Sequence, residues 1–232
     1  MTQPDATRAQ LQIYEQLLRF QLFQGLSRAE LLQMAGNTKF GFLKEDSAKE
    51  VAREGTPCRQ LHFLVSGSLT VSTRSDDGGY EVSEQLAAPW ALQPEALFGA
   101  EPRYSSTYRT SSSCHFITLS KDEVLRLVDD FLVIRINMLN ILSTIAQRHS
   151  HLPWRSTPQT LRERFVRFVL AHTVYPAGRK ELRILMQRLA DELGDSRLNV
   201  SRMLHQLASE NMLQMHRGRI VIPLLEHLLQ AK

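Results

Sequence analysis

The sequence predicts an α+β protein in three parts: a β-roll, a long helix, and a small C-terminal unit of helices with a β-hairpin. Three observations predict it. Short β-type runs separated by turn residues fill the chain from about Phe40 to Leu119. An apolar seam with helical spacing begins at Phe131. Two shorter apolar stripes of helical period lie on either side of Gly194.

The N-terminal domain is assigned to residues 1–128. Ser27, with Glu30 three residues later, has the pattern of a capping box at the start of a helix. Leu61–Val65 and Leu69–Thr73 are predicted strands. Glycine and proline turns recur between the strands at the regular spacing of a β-roll or sandwich.

Residues 129–155 are predicted to hold a long helix and a hinge, with Pro153 ending the helix. Seven residues follow one another at alternating spacings of 3 and 4, which is a heptad-like seam: Phe131, Ile134, Met138, Ile141, Ile145, Arg148 and Leu152. We interpret this seam as the interface of a two-fold dimer, with Arg148 setting the register. The alternative is burial against the chain's own β-roll.

Residues 156–232 have the pattern of a helix-turn-helix followed by a β wing. The spacing i, i+3, i+4, i+7 occurs twice: at Met186, Leu189, Ala190 and Leu193, and again at Val200, Met203, Leu204 and Leu207. Gly194 between them suits the positive φ of a helix end, and Asp195 or Ser196 suits the cap of the second helix.

The outer face of that second helix is predicted to enter the major groove of double-stranded DNA. Its residues are Arg197, Leu198, Ser201, Arg202 and His205. Arginines near a helix start suit bidentate bonds to guanine edges or phosphates. Gln187 on the first helix, and Arg217 and Arg219 at the tip of the predicted hairpin, complete the expected contacts. The alternative is an ordinary two-helix corner with a solvated basic face.

The charge distribution favours DNA as the partner. Residues 154–232 hold 13 Lys and Arg against 7 Asp and Glu, a net of +6. Residues 1–153 hold 15 against 17, a net of −2, and the whole chain has +4. A basic C-terminal third on a slightly acidic remainder is typical of a local phosphate-binding surface.

Several function classes are excluded by composition and motifs. No apolar run of about 18 residues predicts a membrane span, and the polar first residues lack the core of a signal peptide, so a cytoplasmic protein is expected. Cys58 and Cys114 are expected to be buried free thiols, with a thiol switch as the alternative. No nucleophile–base motif, metal-binding His-x-His or Gly-rich phosphate loop indicates an enzyme.

In their order, these parts resemble the Crp–Fnr superfamily of bacterial transcription regulators. The resemblance rests on Leu22–Ser27, Glu54-Gly55, Phe63–Leu69, the long helix and Ser196–Arg202. It implies a β-roll of the cyclic-nucleotide-binding type that senses a small-molecule effector, a dimerisation helix, and a winged helix that binds a near-palindromic operator. It also implies a homodimer that works with RNA polymerase.

The cyclic-AMP-binding members of that superfamily hold the nucleotide with a Gly-Glu pair and an Arg-Ser pair. Here Gln93-Pro94 and Tyr104-Ser105 stand in those places. Because the phosphate loses its bidentate cation, we expect an effector other than cyclic AMP. The resemblance implies a pocket formed by Gln93, Glu95, Tyr104, Ser105, Ser106, His149 and Ser150.

Cofactors are not expected. An iron–sulfur cluster needs four thiolates, and the chain has two cysteines. Haem is kept as an alternative, with candidate axial ligands at His62, His115, His149 and His151.

Leu198 replaces a glutamate that many relatives use, which predicts a different operator. The alternative function is a ligand- or haem-binding β-roll whose DNA binding is lost or secondary.

Overall fold

The computed structural model describes residues 13–151, 154 and 156–230. The turn-rich part of the chain forms the predicted antiparallel β-roll. Its strands are β1 (Gly41–Glu45), β2 (Glu50–Ala52), β3 (Gln60–Ser66), β4 (Ser68–Arg74), β5 (Tyr80–Ala87), β6 (Trp90–Leu92), β7 (Thr107–Thr110) and β8 (Cys114–Ser120). One sheet has the order β1-β8-β3-β6, and β5-β4-β7-β2 lie side by side in the other. Apolar side chains from both sheets meet between them, as a sandwich requires.

The helices are α1 (Arg28–Asn37), α2 (Lys121–Asp130), α3 (Leu132–His151), α4 (Leu161–Ala171), α5 (Met186–Leu193), α6 (Arg197–Ser209) and α7 (Leu225–Gln230). In the part of the chain that the structure describes, short 3-10 helices span Gln21–Phe23 and Pro94–Leu97. The predicted capping box before α1 is confirmed, because the Ser27 hydroxyl accepts the amide of Glu30 while the Glu30 carboxylate accepts that of Ser27. Within the described ranges, no helix is long and apolar enough to cross a membrane.

The apolar seam that begins at Phe131 packs on the β-roll of its own chain. Phe131, Ile134 and Met138 are 5%, 0% and 5% exposed and belong to the core of the roll. The prediction that these three residues form a dimer interface is therefore wrong, and the alternative of burial within the chain is correct. A heptad spacing shows that one helix face is buried but does not identify the surface that buries it.

The end of the seam is less buried than its start. Ile141 packs at the edge of the same core, Ile145 is half-buried, and Arg148 is exposed. Leu152 lies outside the described residues. A second face of α3 carries large apolar residues at a spacing of 4 and 3, and these are 63%, 47% and 58% exposed: Leu132, Ile136 and Leu139. We call these three residues the outer face of α3.

The C-terminal part forms the predicted helix-turn-helix and wing. The stripes of α5 and α6 pack against Phe165, Phe168 and Val169 of α4 in a second core. Gly194 ends α5 with φ 61° and ψ 44°, as expected for a left-handed helix end. Of the two candidate caps for α6, Ser196 is the one used, because its hydroxyl accepts the amide of Asn199 at 3.1 Å.

A strand that is not among the predicted elements joins the two parts of the chain. The wing is a hairpin of β10 (Gln214–His216) and β11 (Arg219–Ile222), and β9 (Lys180–Ile184) lies beside it. The other edge of β9 pairs with β5 of the β-roll. A single sheet therefore runs through the roll and the wing in the order β10-β11-β9-β5-β4-β7-β2.

Candidate nucleic-acid interface and effector cavity

The second helix of the motif, α6, is held by its buried side. Val200, Leu204 and Leu207 are at most 1% exposed and fix the rotation of the helix about its axis. The predicted DNA-contacting residues consequently lie on the outside: Arg197, Leu198, Arg202 and His205 are exposed, and Ser201 is half-buried. This places two guanidinium groups and one apolar side chain on one accessible helix face, which suits contacts to base edges and a thymine methyl.

Asp195 anchors the start of this helix to α4, a contact between residues distant in sequence that no local pattern indicates. One Asp195 oxygen accepts from the Asn199 side chain at 2.8 Å and from the Ser196 amide at 2.8 Å, and the other accepts from Arg164. The Asn199 hydrogen bond, the Ser196 amide and the charge of Arg164 hold the pKa of Asp195 below its usual value. The charged Asp195 side chain therefore connects the start of α6 to α4.

The wing and the first helix present the remaining predicted contacts at the surface. Gly218 takes φ 68° in the turn between β10 and β11, which brings Arg217 and Arg219 to an exposed hairpin tip. Gln187 is exposed at the start of α5, where its side-chain amide donates to Asp191 at 3.0 Å. The structure thus brings all eight predicted DNA-contacting side chains onto α5, α6 and the wing.

A cavity of about 840 Å³ lies where the β-roll, α3 and the segment after α4 meet. Its walls include four of the predicted pocket residues, namely Gln93, Glu95, Ser105 and Ser106. Ile141, Ile145 and Arg148, which are predicted members of the dimer seam, also line it. Ser150 is exposed and is not among the lining residues, and the side chain of His149 lies outside what the structure describes.

The loop that holds the phosphate in cyclic-AMP-binding proteins is closed here by its own side chains. Gln93 adopts a left-handed conformation at φ 34° just before the 3-10 helix. Its amide nitrogen donates to the Ser105 hydroxyl and its amide oxygen accepts the Ser105 backbone N–H at 3.1 Å. The Ser106 hydroxyl lies 2.6 Å from that of Thr73. These polar groups bond to one another, and the cations at the cavity wall come from other segments, namely Arg19, Arg74 and Arg148.

Tyr104 does not line the cavity, which corrects its assignment to the effector pocket. It is buried, and its hydroxyl lies 3.2 Å from Nδ1 of His62 and donates to the carbonyl of Gln60. The Gln60 side-chain nitrogen lies 3.1 Å from Nε2 of the same histidine. Burial lowers the pKa of His62 to about 4, so the ring is neutral at pH 7.

Among the histidine candidates, the side chains of His62 and His115 have hydrogen-bond partners within the protein, and His151 is exposed at the end of α3. Both ring nitrogens of His62 have protein partners, whereas an axial haem ligand needs one of them free. His115 is exposed, with Nδ1 3.0 Å from the Ser66 hydroxyl. Cys58 and Cys114 are buried free thiols, as predicted. Among residues 13–151, 154 and 156–230, no cluster of three or more His, Cys, Asp or Glu is arranged to hold a metal.

Two family models match the chain, in the order in which the parts of the structure occur. A cyclic nucleotide-binding domain matches residues 47–131, and a Crp-like helix-turn-helix domain matches residues 163–231. The chain belongs to the Crp–Fnr family of DNA-binding transcription regulators. The resemblance inferred from the sequence is thereby confirmed, as is the fold class of β-roll, helices and winged helix-turn-helix.

Individual relatives are distant in sequence. The cAMP-activated global transcriptional regulator CRP of Haemophilus influenzae is 19% identical over 174 residues, which cover 72% of this chain and 77% of that protein. The structure of the Thermus thermophilus catabolite activator protein has a TM-score of 0.51 at 20% identity and covers 91% of this chain and 97% of that one. The sensor domain of the regulator DNR from Pseudomonas aeruginosa has a TM-score of 0.52 at 21% identity, covering 65% and 98%. These solved structures share the fold.

Proposed function

We propose that this protein is a sequence-specific regulator of transcription that binds a near-palindromic operator as a homodimer and is controlled by an effector other than cyclic AMP. In this proposal residues 1–128 sense the effector, residues 129–155 carry the dimer helix and hinge, and residues 156–232 bind DNA in the cytoplasm and act on RNA polymerase. The observation that carries it is the exposed face of α6, where Arg197, Leu198 and Arg202 lie on a helix whose other face is fixed in a core.

The outer face of α3 is the proposed dimer contact. Leu132, Ile136 and Leu139 form an apolar stripe over two helical turns that is about half exposed or more in the single chain. A second copy of α3, related by a two-fold axis, covers this stripe because the apolar stripes of the two helices then pack against each other. The dimer then presents two recognition helices to half-sites about 34 Å apart, one turn of the duplex.

An effector different from cyclic AMP is supported by the cavity. Gln93 and Ser105 close the phosphate loop on each other, and Tyr104, which stands where an arginine is expected, is buried against His62. The cavity wall carries aromatic and aliphatic side chains, among them Phe63, Trp90 and Ile141, together with three arginines, Arg19, Arg74 and Arg148. A concave wall that combines apolar side chains with placed polar and charged groups is typical of sites for small organic ligands.

The variant Arg202→Ala tests the DNA-binding assignment. We expect its affinity for the preferred duplex to fall by about 1–3 kcal/mol, because a base-reading guanidinium is lost. Arg217→Ala in the wing removes a phosphate contact, so it is expected to weaken binding to all duplexes alike and to lower the salt slope by about 1. Fluorescence anisotropy over a salt series measures both quantities.

The matched control is Arg126→Ala, an arginine of α2 whose side chain is 61% exposed and lies on the β-roll. It also removes one positive charge but is expected to leave DNA affinity unchanged. Equal affinities for the Arg202→Ala variant and the unchanged protein would contradict the assignment of α6. If Arg126→Ala lowers DNA affinity as much as Arg202→Ala does, the loss results from the change in net charge and not from a contact made by Arg202.

A further inference from the structure

The winged helix is joined to the β-roll of the same chain by a strand pair of known register. β5 and β9 are antiparallel, with Tyr80 opposite Ile184 and Glu84 opposite Lys180. Val82 of the roll, opposite Leu182, is buried in the core of the winged helix and not in that of the roll. Because β9 also pairs with β11 of the wing, the backbone of β9 is held on both edges. The winged helix cannot turn relative to the roll unless these strands separate.

A buried ion pair secures the inner side of this contact. Lys180 is fully buried, Glu84 is 5% exposed, and the Lys180 ammonium donates to a Glu84 oxygen at 2.8 Å. The backbone amides of Val174 and Tyr175, from the segment between α4 and β9, donate to the same carboxylate at 2.7 and 3.1 Å. The charge of Glu84 is balanced by Lys180, and both of its oxygens accept hydrogen bonds only while β5 and β9 are paired in this register. The buried pair therefore favours this one arrangement of the winged helix on the β-roll.

Further carboxylates of the β4–β5 hairpin pair with two arginines of the winged helix, which also pair within it, Arg188 with Glu192 at 2.7 Å and Arg183 with Glu181 at 3.2 Å. Asp77 at the hairpin tip lies 2.8 Å from Arg188 of α5, beside the predicted DNA contact Gln187. Glu81 of β5 lies 3.7 Å from Arg183 of β9. An arginine already paired with a carboxylate releases few counterions when a phosphate approaches, and a nearby carboxylate repels the duplex.

We propose that the β4–β5 hairpin is an autoinhibitory strap: it holds the winged helix against the β-roll and masks part of its basic surface, and operator binding requires β5 and β9 to separate. This inference rests on the proposed function. His172 and Val174 line the cavity described above, and the Val174 amide donates to Glu84. Occupancy of the cavity therefore acts on the segment that the strap holds, which gives an effector a direct route to DNA affinity.

A disulfide across the strap tests this proposal. Glu81 and Arg183 are directly opposite each other on the outer face of the strand pair, and facing residues of antiparallel strands lie within disulfide range. The double variant Glu81→Cys with Arg183→Cys is compared in its oxidised and reduced forms for binding to a duplex selected by the unchanged protein. The matched control, Ser72→Cys with Ser83→Cys, cross-links β4 to β5 inside the hairpin and leaves β9 free. Cys58 and Cys114 are buried, which limits mispairing.

We expect oxidation to weaken DNA binding of the strap variant about tenfold or more, reduction to restore it, and the control to bind equally in both forms. If the oxidised strap variant binds the duplex as tightly as the reduced form does, the proposal is overturned, because the docked arrangement is then the one that binds DNA. If the strap pair does not oxidise while the control pair does, β5 and β9 are not paired in solution, which also overturns it. Absence of DNA binding by the unchanged and reduced proteins, also in the presence of cell extract as a source of effector, would instead refute the proposed function on which it rests.

Discussion

The substitution Glu84→Gln changes one atom of the contact between the β-roll and the winged helix. Glutamine keeps the length of the side chain but loses its charge and replaces one accepting oxygen with an N–H₂ donor. That donor must face either the amide of Val174, at the position of Oε1, or the Lys180 ammonium and the amide of Tyr175, at the position of Oε2, and all of these groups are themselves donors. A buried cation is then left without a counter-charge, since Lys180 is fully buried.

The expected loss is about 3–5 kcal/mol, the range found when one partner of a buried ion pair is removed. Separation of β5 from β9 relieves this penalty by returning Lys180 to water. The loss therefore appears first as local opening of the strand pair, and each 1.36 kcal/mol is a factor of about ten in the opening equilibrium. We expect amide exchange in β5 and β9 to accelerate by about a hundredfold or more.

Hydrogen exchange followed by mass spectrometry measures this change. Peptides that cover Lys180–Ile184 and Tyr80–Ala87 are expected to exchange faster, while those from β3 and β8 in the other sheet stay protected. Glu81→Gln is the control, because it lies on the same strand but pairs with arginines whose side chains are 68% and 62% exposed, which limits its effect to about 1 kcal/mol or less. Unchanged exchange in β9 of the Glu84→Gln variant would refute the account of the buried pair.

Burial lowers the pKa of His62 from 6.5 to about 4, so the unfolded chain binds its proton more readily. The free energy of unfolding is therefore expected to fall by about 3 kcal/mol as the pH drops from 6.5 to 4, and thermal denaturation across that range measures it. Leu139→Asp places a charge on the outer face of α3 and is expected to convert the dimer into monomers in sedimentation velocity. Ser196→Ala removes the cap of α6 and is expected to lower the free energy of unfolding by about 1 kcal/mol in urea titrations.

Each of these predictions has a matched control. His62→Gln is expected to flatten the pH dependence, whereas the exposed His115→Gln keeps it; identical slopes in both variants would contradict the assignment to His62. Leu125→Asp changes an exposed leucine of α2 and is expected to leave the dimer intact. A dimer that survives Leu139→Asp would place the contact elsewhere. Ser209→Ala, at the other end of α6, is expected to have little effect, so equal losses at both ends would contradict the role of the cap.

The sequence predicted the helix-turn-helix well because its signals are local. Gly194 and Ser196 determine where one helix ends and the next begins, and the apolar stripes determine which faces are buried. The same logic misassigned Phe131, Ile134 and Met138. Their spacing correctly indicated a buried helix face, but periodicity contains no information on whether the covering surface belongs to the same chain.

The contact between β5 and β9 could not be predicted from sequence patterns. The two strands are about a hundred residues apart, and β9 contains Lys180, Glu181 and Arg183, which are residue types usually found at the surface. Lys180 is buried because Glu84 meets it from a distant strand, and a pairing of this kind leaves no local signal. The effector pocket was predicted in part: Gln93 and Ser105 lie at the cavity, whereas Tyr104 turns into the core beside His62.

Selection of bound duplexes from a random-sequence pool by the purified protein is the most direct test of the central claim that this chain is a dimeric, operator-reading regulator. The account predicts enrichment of a two-fold-symmetric site with half-sites about one duplex turn apart, and loss of that enrichment in the Arg202→Ala variant. A pool that stays unenriched both with the unchanged protein and with Glu81→Cys/Arg183→Cys in its reduced form, in the presence of cell extract as a source of effector, would contradict it.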